Sequence, residues 1–419
     1  MNRRARDKRP YIPPVQRIEL SKENIKTRWI ATFLFLALGV ASLAIGLYFF
    51  LTPEAGWEEI QINSSGTESC ADEFALMYNL GAGDQSASSE KKALEALYAE
   101  AAETSFRLFH SSMEFDGVSN ISYINSHPNE EITVDPVLYE AFVLLDRYGI
   151  RSQYLGPAYE IYNGLFQCRE DYQTVDYDPC QNAELRSLFS EIAAYAADAE
   201  AVDLELLGDS RVRLNVSPEY LQFAQENETT RFLDLYWMKN AFIADYIAQE
   251  LTDHGYTSGV LSSYDGFVRN LEVSGNTDFE FRLFDRQDQT VVPAAAMQYS
   301  GPLSLVYLRS YPVANADLRH YYTLADGEVR VPYLDMQDGL PRTSVGSLAS
   351  YSGTVGCAEI LLSILPGYVG EHFPEQDITA LTGKEIDSVW TQDGVIYHTS
   401  RYLNLTGLYP GEKVVCTTE

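Results

Sequence analysis

The sequence predicts an α+β fold, a mixed sheet with helices packed on it, set behind a single N-terminal transmembrane helix. Two observations lead there. A 23-residue run without a charge, Trp29 to Leu51, precedes everything that reads as globular. After it, helix-period and strand-period segments follow one another without a regular strand–helix–strand beat. At 419 residues the chain has room for one large domain or two smaller ones.

The uncharged run would span roughly 35 Å as a helix, enough to cross a bilayer with some tilt. Trp29 stands at one end and Tyr48, Phe49 and Phe50 at the other, where aromatic side chains anchor at membrane interfaces. The tail before it, residues 1–28, is basic, and the positive-inside rule puts such a tail in the cytoplasm. A cleaved signal peptide is the competing reading. The long basic region and the aromatic end of the run, in place of an Ala-x-Ala site, count against it. Residues 52–72 are polar with a Ser-Ser-Gly turn and read as a spacer, and residues 73–419 read as the globular ectodomain. Within it, Ser89–His110 carries Leu94, Leu97, Ala101, Phe106, Leu108 and Phe109 at helical spacing. Val137–Tyr148, Ala183–Ala197 and Phe232–His254 read as three further helices. Ser258–Glu272, Phe279–Phe284, Leu303–Leu308, Val329–Tyr333 and Gly394–Thr399 alternate and read as strands.

Charge narrows the partners. The formal net charge is -30. Residues 1–51 hold nine Lys or Arg against three Asp or Glu. Removing those from the chain's 30 basic and 60 acidic residues leaves 21 and 57 for the rest. Such a surface repels nucleic acid and anionic headgroups, so no nucleic-acid partner is expected. No Gly-x-Ser-x-Gly, His-Glu-x-x-His or Cys-x-x-Cys occurs, and the six histidines are scattered, which leaves zinc without sequence support. In an exported domain, Cys168 and Cys180 bracket a polar loop and are expected to pair, at about 2–4 kcal/mol. Cys357 lies in an apolar helical run and reads as a buried free thiol.

Between Phe232 and Glu272 the chain reads FLDLYWMKNAFIADYIAQELTDHGYTSGVLSSYDGFVRNLE. This stretch resembles the core of the ApbE family, the FAD:protein FMN transferases. There a Leu-Asp-Leu strand end runs into Gly-Gly-Ile-Ala-Lys-Gly-Tyr, a helix with an Asp follows, and a second strand ends near Asn-x-Gly-Gly-Asp-Ile-Arg. Leu233, Asp234, Leu235, Asp245, Gly266 and Arg269 match. The glycine pair falls on Tyr236 and Trp237, and the lysine on Asn240, with Lys239 beside it. Upstream, Ser119, Ile121, Ile124 and Asn125 match a Ser-x-Ile-x-x-Ile/Leu-Asn segment. Gly156 and Tyr159 match a Thr-x-Gly-x-Phe/Tyr-Asp segment whose acid is Glu160 here. His320 and Gly327 match His-Ile-Ile-Asp-Pro-x-Thr-Gly. The resemblance covers roughly residues 75–410.

The family ligates its cation with an Asp-x-x-x-Thr pair near a C-terminal helix. Those positions fall on Gly356 and Ile360, and the window from Ser352 to Leu365 holds one acid, Glu359. A single carboxylate makes a poor magnesium site. The resemblance therefore implies a membrane-anchored, extracytoplasmic bacterial domain, catalytically degenerate, serving as a binding or scaffold module in a flavin or redox system with a protein partner. Asp234, Lys239, Asn240, Asp245, Gly266, Arg269 and His320 would be a vestigial pocket, with no cofactor expected. The alternative is a working transferase that uses FAD and magnesium to attach FMN to a Ser or Thr of a partner. Plainer roles stay open: Asp234 as a helix cap, Asp245 on a polar face, Arg269 paired with an acid, His320 as a structural histidine.

The topology is testable. Protease added to intact cells should remove the acidic domain and leave the tail, and protection of that domain would refute an external location.

Overall fold

The computed structural model describes residues 25–51, 55–62, 68–82 and 86–418. Most of the basic tail and parts of the expected spacer lie outside the described residues. Helix α1 (Ile25–Leu51) takes up the uncharged run and is long and apolar enough to cross a membrane. It belongs to a compact unit of its own, and everything from Ala55 onward forms the second unit.

That second unit is built on a nine-stranded sheet. Its strands are β1 (Gly56–Ile60), β2 (Phe74–Leu80), β3 (Gly259–Ser263), β4 (Phe267–Asn270), β5 (Leu303–Arg309), β6 (Ser347–Ser352), β7 (Asp387–Gln392), β8 (Val395–His398) and β9 (Lys413–Cys416). Their order across the sheet is their order in the chain. Every neighbouring pair is antiparallel except β8 and β9, which run parallel. The sheet is thus mixed, as expected.

Successive side chains of a strand point to opposite faces, and the central strands bury both. Phe267, Val306, Leu308, Leu348 and Trp390 join the larger core, against α2 (Ala87–Phe109), α3 (Lys239–Asp253) and α4 (Cys357–Tyr368). Their neighbours Val268, Leu305, Tyr307, Ala349 and Val389 join a smaller core on the other face. A long hairpin, Asp278–Gln287 with Thr290–Ser300, covers that face with Leu283, Ala295 and Met297. Two buried faces explain why β5 reads as the nearly unbroken apolar run LSLVYLR.

Several expectations need correcting. The stretch taken as spacer contains β1, an edge strand that buries Ile60 and otherwise needs only backbone pairing to β2. The helix expected from Phe232 begins seven residues later, after a 3-10 turn at Tyr236–Met238. Val329–Tyr333 contributes only the two-residue strand Val329–Arg330. The Cys168–Cys180 bridge is absent, and all five cysteines are free thiols. Cys168 ends the 3-10 turn Asn163–Gln167 with its Sγ toward the Gly164 carbonyl, and the Cys180 N–H donates to Asp178. The loop between them is held instead by Asp178, fully buried, which accepts from Arg330 at 2.7 Å. Cys357 is buried, as its apolar setting implied.

Gly266, expected in the vestigial pocket, has a structural task. Its φ is +93°, and a Cβ there would lie 2.2 Å from the Tyr307 carbonyl oxygen. Gly266→Ala should therefore cost about 2–4 kcal/mol in chemical denaturation. Gly275→Ala, at φ +65° with open space around it, should cost about 1–2 kcal/mol. Equal losses at the two positions would contradict the close approach.

Candidate functional site

The site is built around the path of the chain from Leu233 into α3. The Asn125 side chain clamps Leu233 from both sides, accepting from its N–H at 2.9 Å and donating to its carbonyl at 2.8 Å. The Asp234 N–H donates to the Gln153 carbonyl, and the buried Asp234 carboxylate accepts from the Tyr236 N–H at 2.7 Å. This is a side-chain turn onto the residue two ahead and not the helix cap left open for Asp234, since Leu235 and Met238 stand at the starts of the 3-10 turn and of α3, without side-chain caps. Burial raises its pKa, opposed by that backbone bond.

Pinned this way, Tyr236 takes φ +42°, a left-handed conformation that glycine adopts freely. For a tyrosine it costs about 1–2 kcal/mol. Its ring stacks on Tyr159 at 4.9 Å, meets His320 at 5.4 Å, and its hydroxyl donates to Asn163 at 2.8 Å. Trp237 is buried and packs edge-on against Tyr333. The two residues face different spaces. Tyr236 lines a polar cavity of about 430 Å³, and Trp237 lines a more apolar one of about 400 Å³ with Met238, Tyr333 and Leu365.

Three of the expected residues, Asp234, Lys239 and His320, line the polar cavity. Asn240 sits just behind it. Its amide donates to Glu73 at 2.7 Å and to Asp265 at 2.5 Å. Lys239 reaches Glu73 at 3.4 Å. Asp265 completes the chain of contacts by holding His320 Nδ1 at 2.7 Å. Burial disfavours the charged forms of both Asp265 and His320. Their mutual attraction outweighs it, so Asp265 is lowered and His320 raised. Burial pulls Lys239 down, and the attraction of Glu73 together with Cys70 and Asp234 more than restores it.

Asp245 and Arg269 stand apart from this cavity. Asp245 pairs with Arg269 and accepts from the N–H groups of Cys357 and Ala358, both at 2.8 Å, so it caps α4. That acid lies under Gly356, where a Cβ would come within 2.4 Å of its carboxylate. Position 356 therefore takes no side chain, and Ile360 is fully buried. Among the described residues no group of three or more His, Cys, Asp or Glu is placed to hold a metal ion.

Some contributors escaped sequence reasoning. Glu73, His110, Arg231 and Arg319 carry no local motif. Asp265 had a signal, since it precedes Gly266 where the family pattern has its first glycine. So did Ser363, four residues after Glu359, which repeats the acid-x-x-x-hydroxyl spacing. Glu359 accepts from the Tyr148 hydroxyl at 2.7 Å, and Ser363 donates to the Glu359 carbonyl.

No protein-family profile and no curated protein matches the chain. Solved structures do. The ApbE protein of Thermotoga maritima aligns at 13% identity over 81% of this chain and 95% of its own, with a TM-score of 0.53. The fold is ApbE-like. The flavin transferase ApbE of Vibrio cholerae aligns at 12% identity over 80% and 92%, with a TM-score of 0.48. The flavinyl transferase ApbE of Pseudomonas stutzeri aligns at 11% over 81% and 91%, at 0.47.

On this ApbE-like scaffold the Asp265–His320 pair has a readable pH behaviour. Its contribution to stability is present between the lowered pKa of Asp265 and the raised one of His320, and is lost beyond either. By NMR, His320 should titrate above the free-histidine value of about 6.5. Asp265→Asn should bring it below that value, because the burial stays and the attracting charge goes. An unchanged midpoint in the variant would refute the pairing.

Proposed function

We propose that this chain is a membrane-anchored, extracytoplasmic ApbE-like domain that binds a ligand or partner and does not transfer FMN. One observation carries the reading: a tyrosine, with its ring in the cleft, occupies a left-handed backbone position suited to glycine. Glycines at such a turn let backbone N–H groups approach a pyrophosphate. Tyr236 and Trp237 fill that approach from both sides of the turn. The residues near α4 do not fit a divalent cation either. Position 356 has no room for a ligand side chain, and a lone carboxylate at Glu359 is engaged with Tyr148. Without a cation, charge developing on a transferred phosphoryl group goes unstabilised, and such electrostatic terms are usually the largest in catalysis.

A second reading, an FAD:protein FMN transferase acting on Ser or Thr of a partner, draws on the Glu359–Ser363 spacing and on a histidine retained in the cavity. Incubating the full chain in detergent with FAD, magnesium and an acceptor peptide separates the two. The expected outcome is no change in acceptor mass and weak or no FAD binding, with or without magnesium. Restoring a single group should not create activity, because the parts act together. An acceptor heavier by one FMN would put the transferase first.

A further inference from the structure

The polar cavity holds more hydrogen-bond donors than its own acceptors use. Its carboxylates are largely engaged: Glu73 by Asn240 and Lys239, Asp265 by His320 and Asn240, and one Asp234 oxygen by the Tyr236 N–H. Its cations are held only by longer ion pairs. The Arg231 guanidinium makes no hydrogen bond among the described residues, and its nearest carboxylates, Glu160 and Asp234, lie at 3.6 and 3.9 Å. Lys239 has one long contact. Arg319 donates to the Asp72 carbonyl and is otherwise 3.7 Å from that side chain. His110 accepts at Nδ1 from the N–H groups of Ser112 and Met113, which leaves its Nε2–H as a donor. Burial, then the Lys239 and Arg231 charges, lower its pKa and keep that ring neutral. His320 binds Asp265 through Nδ1 and leaves Nε2 without a partner among the described residues.

From this surplus we infer that the cavity binds a small oxyanion, a phosphate or carboxylate group, through Arg231, Lys239, Arg319 and His320. The inference deepens the reading of a binding domain and rests on it, because the ring of Tyr236 closes the side of the cavity toward the turn. Charged donors to an oxyanion make the stronger class of hydrogen bond. The chain's net charge of -30 opposes nonspecific anion uptake, so affinity must come from these placed donors. A cavity of about 430 Å³ admits phosphate or a short dicarboxylate.

His320 tunes the site. The groups facing it are Asp265 on the turn before β4, Glu73 before β2, Lys239 on α3 and Arg319 beside it in the chain. Their balance raises its pKa, so the ring is cationic below that pKa and loses the charge as pH rises through it.

Calorimetry on the detergent-solubilised full chain tests this with three probes: inorganic phosphate, succinate, and FAD with magnesium. Phosphate or succinate should saturate one site, and which of them does so identifies the anion. Arg231→Gln should weaken that binding by roughly ten-fold or more, the loss of one charge-assisted contact. Arg319→Gln carries the same expectation, so a misfolded Arg231→Gln leaves the test standing. Arg282→Gln, on the exposed hairpin, should change nothing. With sulfate, whose charge is constant, affinity should fall as pH rises through the raised pKa of His320. Absence of heat from both phosphate and succinate, or binding indifferent to both cavity arginine variants, overturns the inference. Tight FAD binding overturns the reading beneath it, and the two failures are told apart by which probe binds.

Discussion

The left-handed turn at Tyr236 is the constraint on which the site depends. Asn125 and Gln153, from two earlier segments, hold Leu233 and Asp234 in place, and the Asp234 carboxylate captures the next free N–H. The backbone then has one direction left, and it sends Tyr236 toward the polar cavity and Trp237 toward the apolar one. Only after that can α3 begin. Its first turn brings Lys239 and Asn240 against Glu73 and Asp265, and Asp245, further along, meets Arg269 and the start of α4. Displacing the turn would move every one of these groups.

Buried charge is handled in two ways in this domain. Asp245 is spent on structure: one carboxylate satisfies an arginine and two orphan N–H groups at a helix start, which offsets the cost of desolvating it. Asp178 with Arg330 and Asp317 with Arg309 are of the same kind. Around the polar cavity the arginine and lysine pairs are longer, and among the described residues Asn240 keeps a buried oxygen without a donor. Such a group costs about 1–3 kcal/mol. Strain at Tyr236 and this unmet acceptor occur within one small region. Functional sites commonly store such costs, and the rest of the core bears them.

The ApbE-like scaffold separates fold from chemistry. The double-faced sheet and its packing survive at 13% identity because they require apolar residues at the right period, which many sequences supply. A phosphate cradle requires particular residues at particular dihedral angles. At this turn the chain places a tyrosine at a left-handed dihedral angle.

The sequence by itself determined the apolar helix, the α+β class, the helix at Ala183–Ala197, the helix expected at Val137–Tyr148 and found at Pro136–Arg147, and the strand content of β3 to β5. These follow from periodicity and composition, which are local properties. It also marked Asp234, Lys239 and His320 as neighbours through their motifs. Tertiary structure alone decided the rest. Glu73 and Asp265 lie far apart in the chain and are brought together by the pairing of β2 with β3, with Asn240 bridging their side chains. Asp245, held by Arg269, turned out to cap α4, because the N–H groups that need its carboxylate arrive more than a hundred residues later. The expected Cys168–Cys180 bridge gave way to a buried Asp178–Arg330 pair, whose arginine comes from a distant strand. The helix start moved from Phe232 to Lys239 because a clamp from Asn125, which no local pattern encodes, fixed the backbone before it.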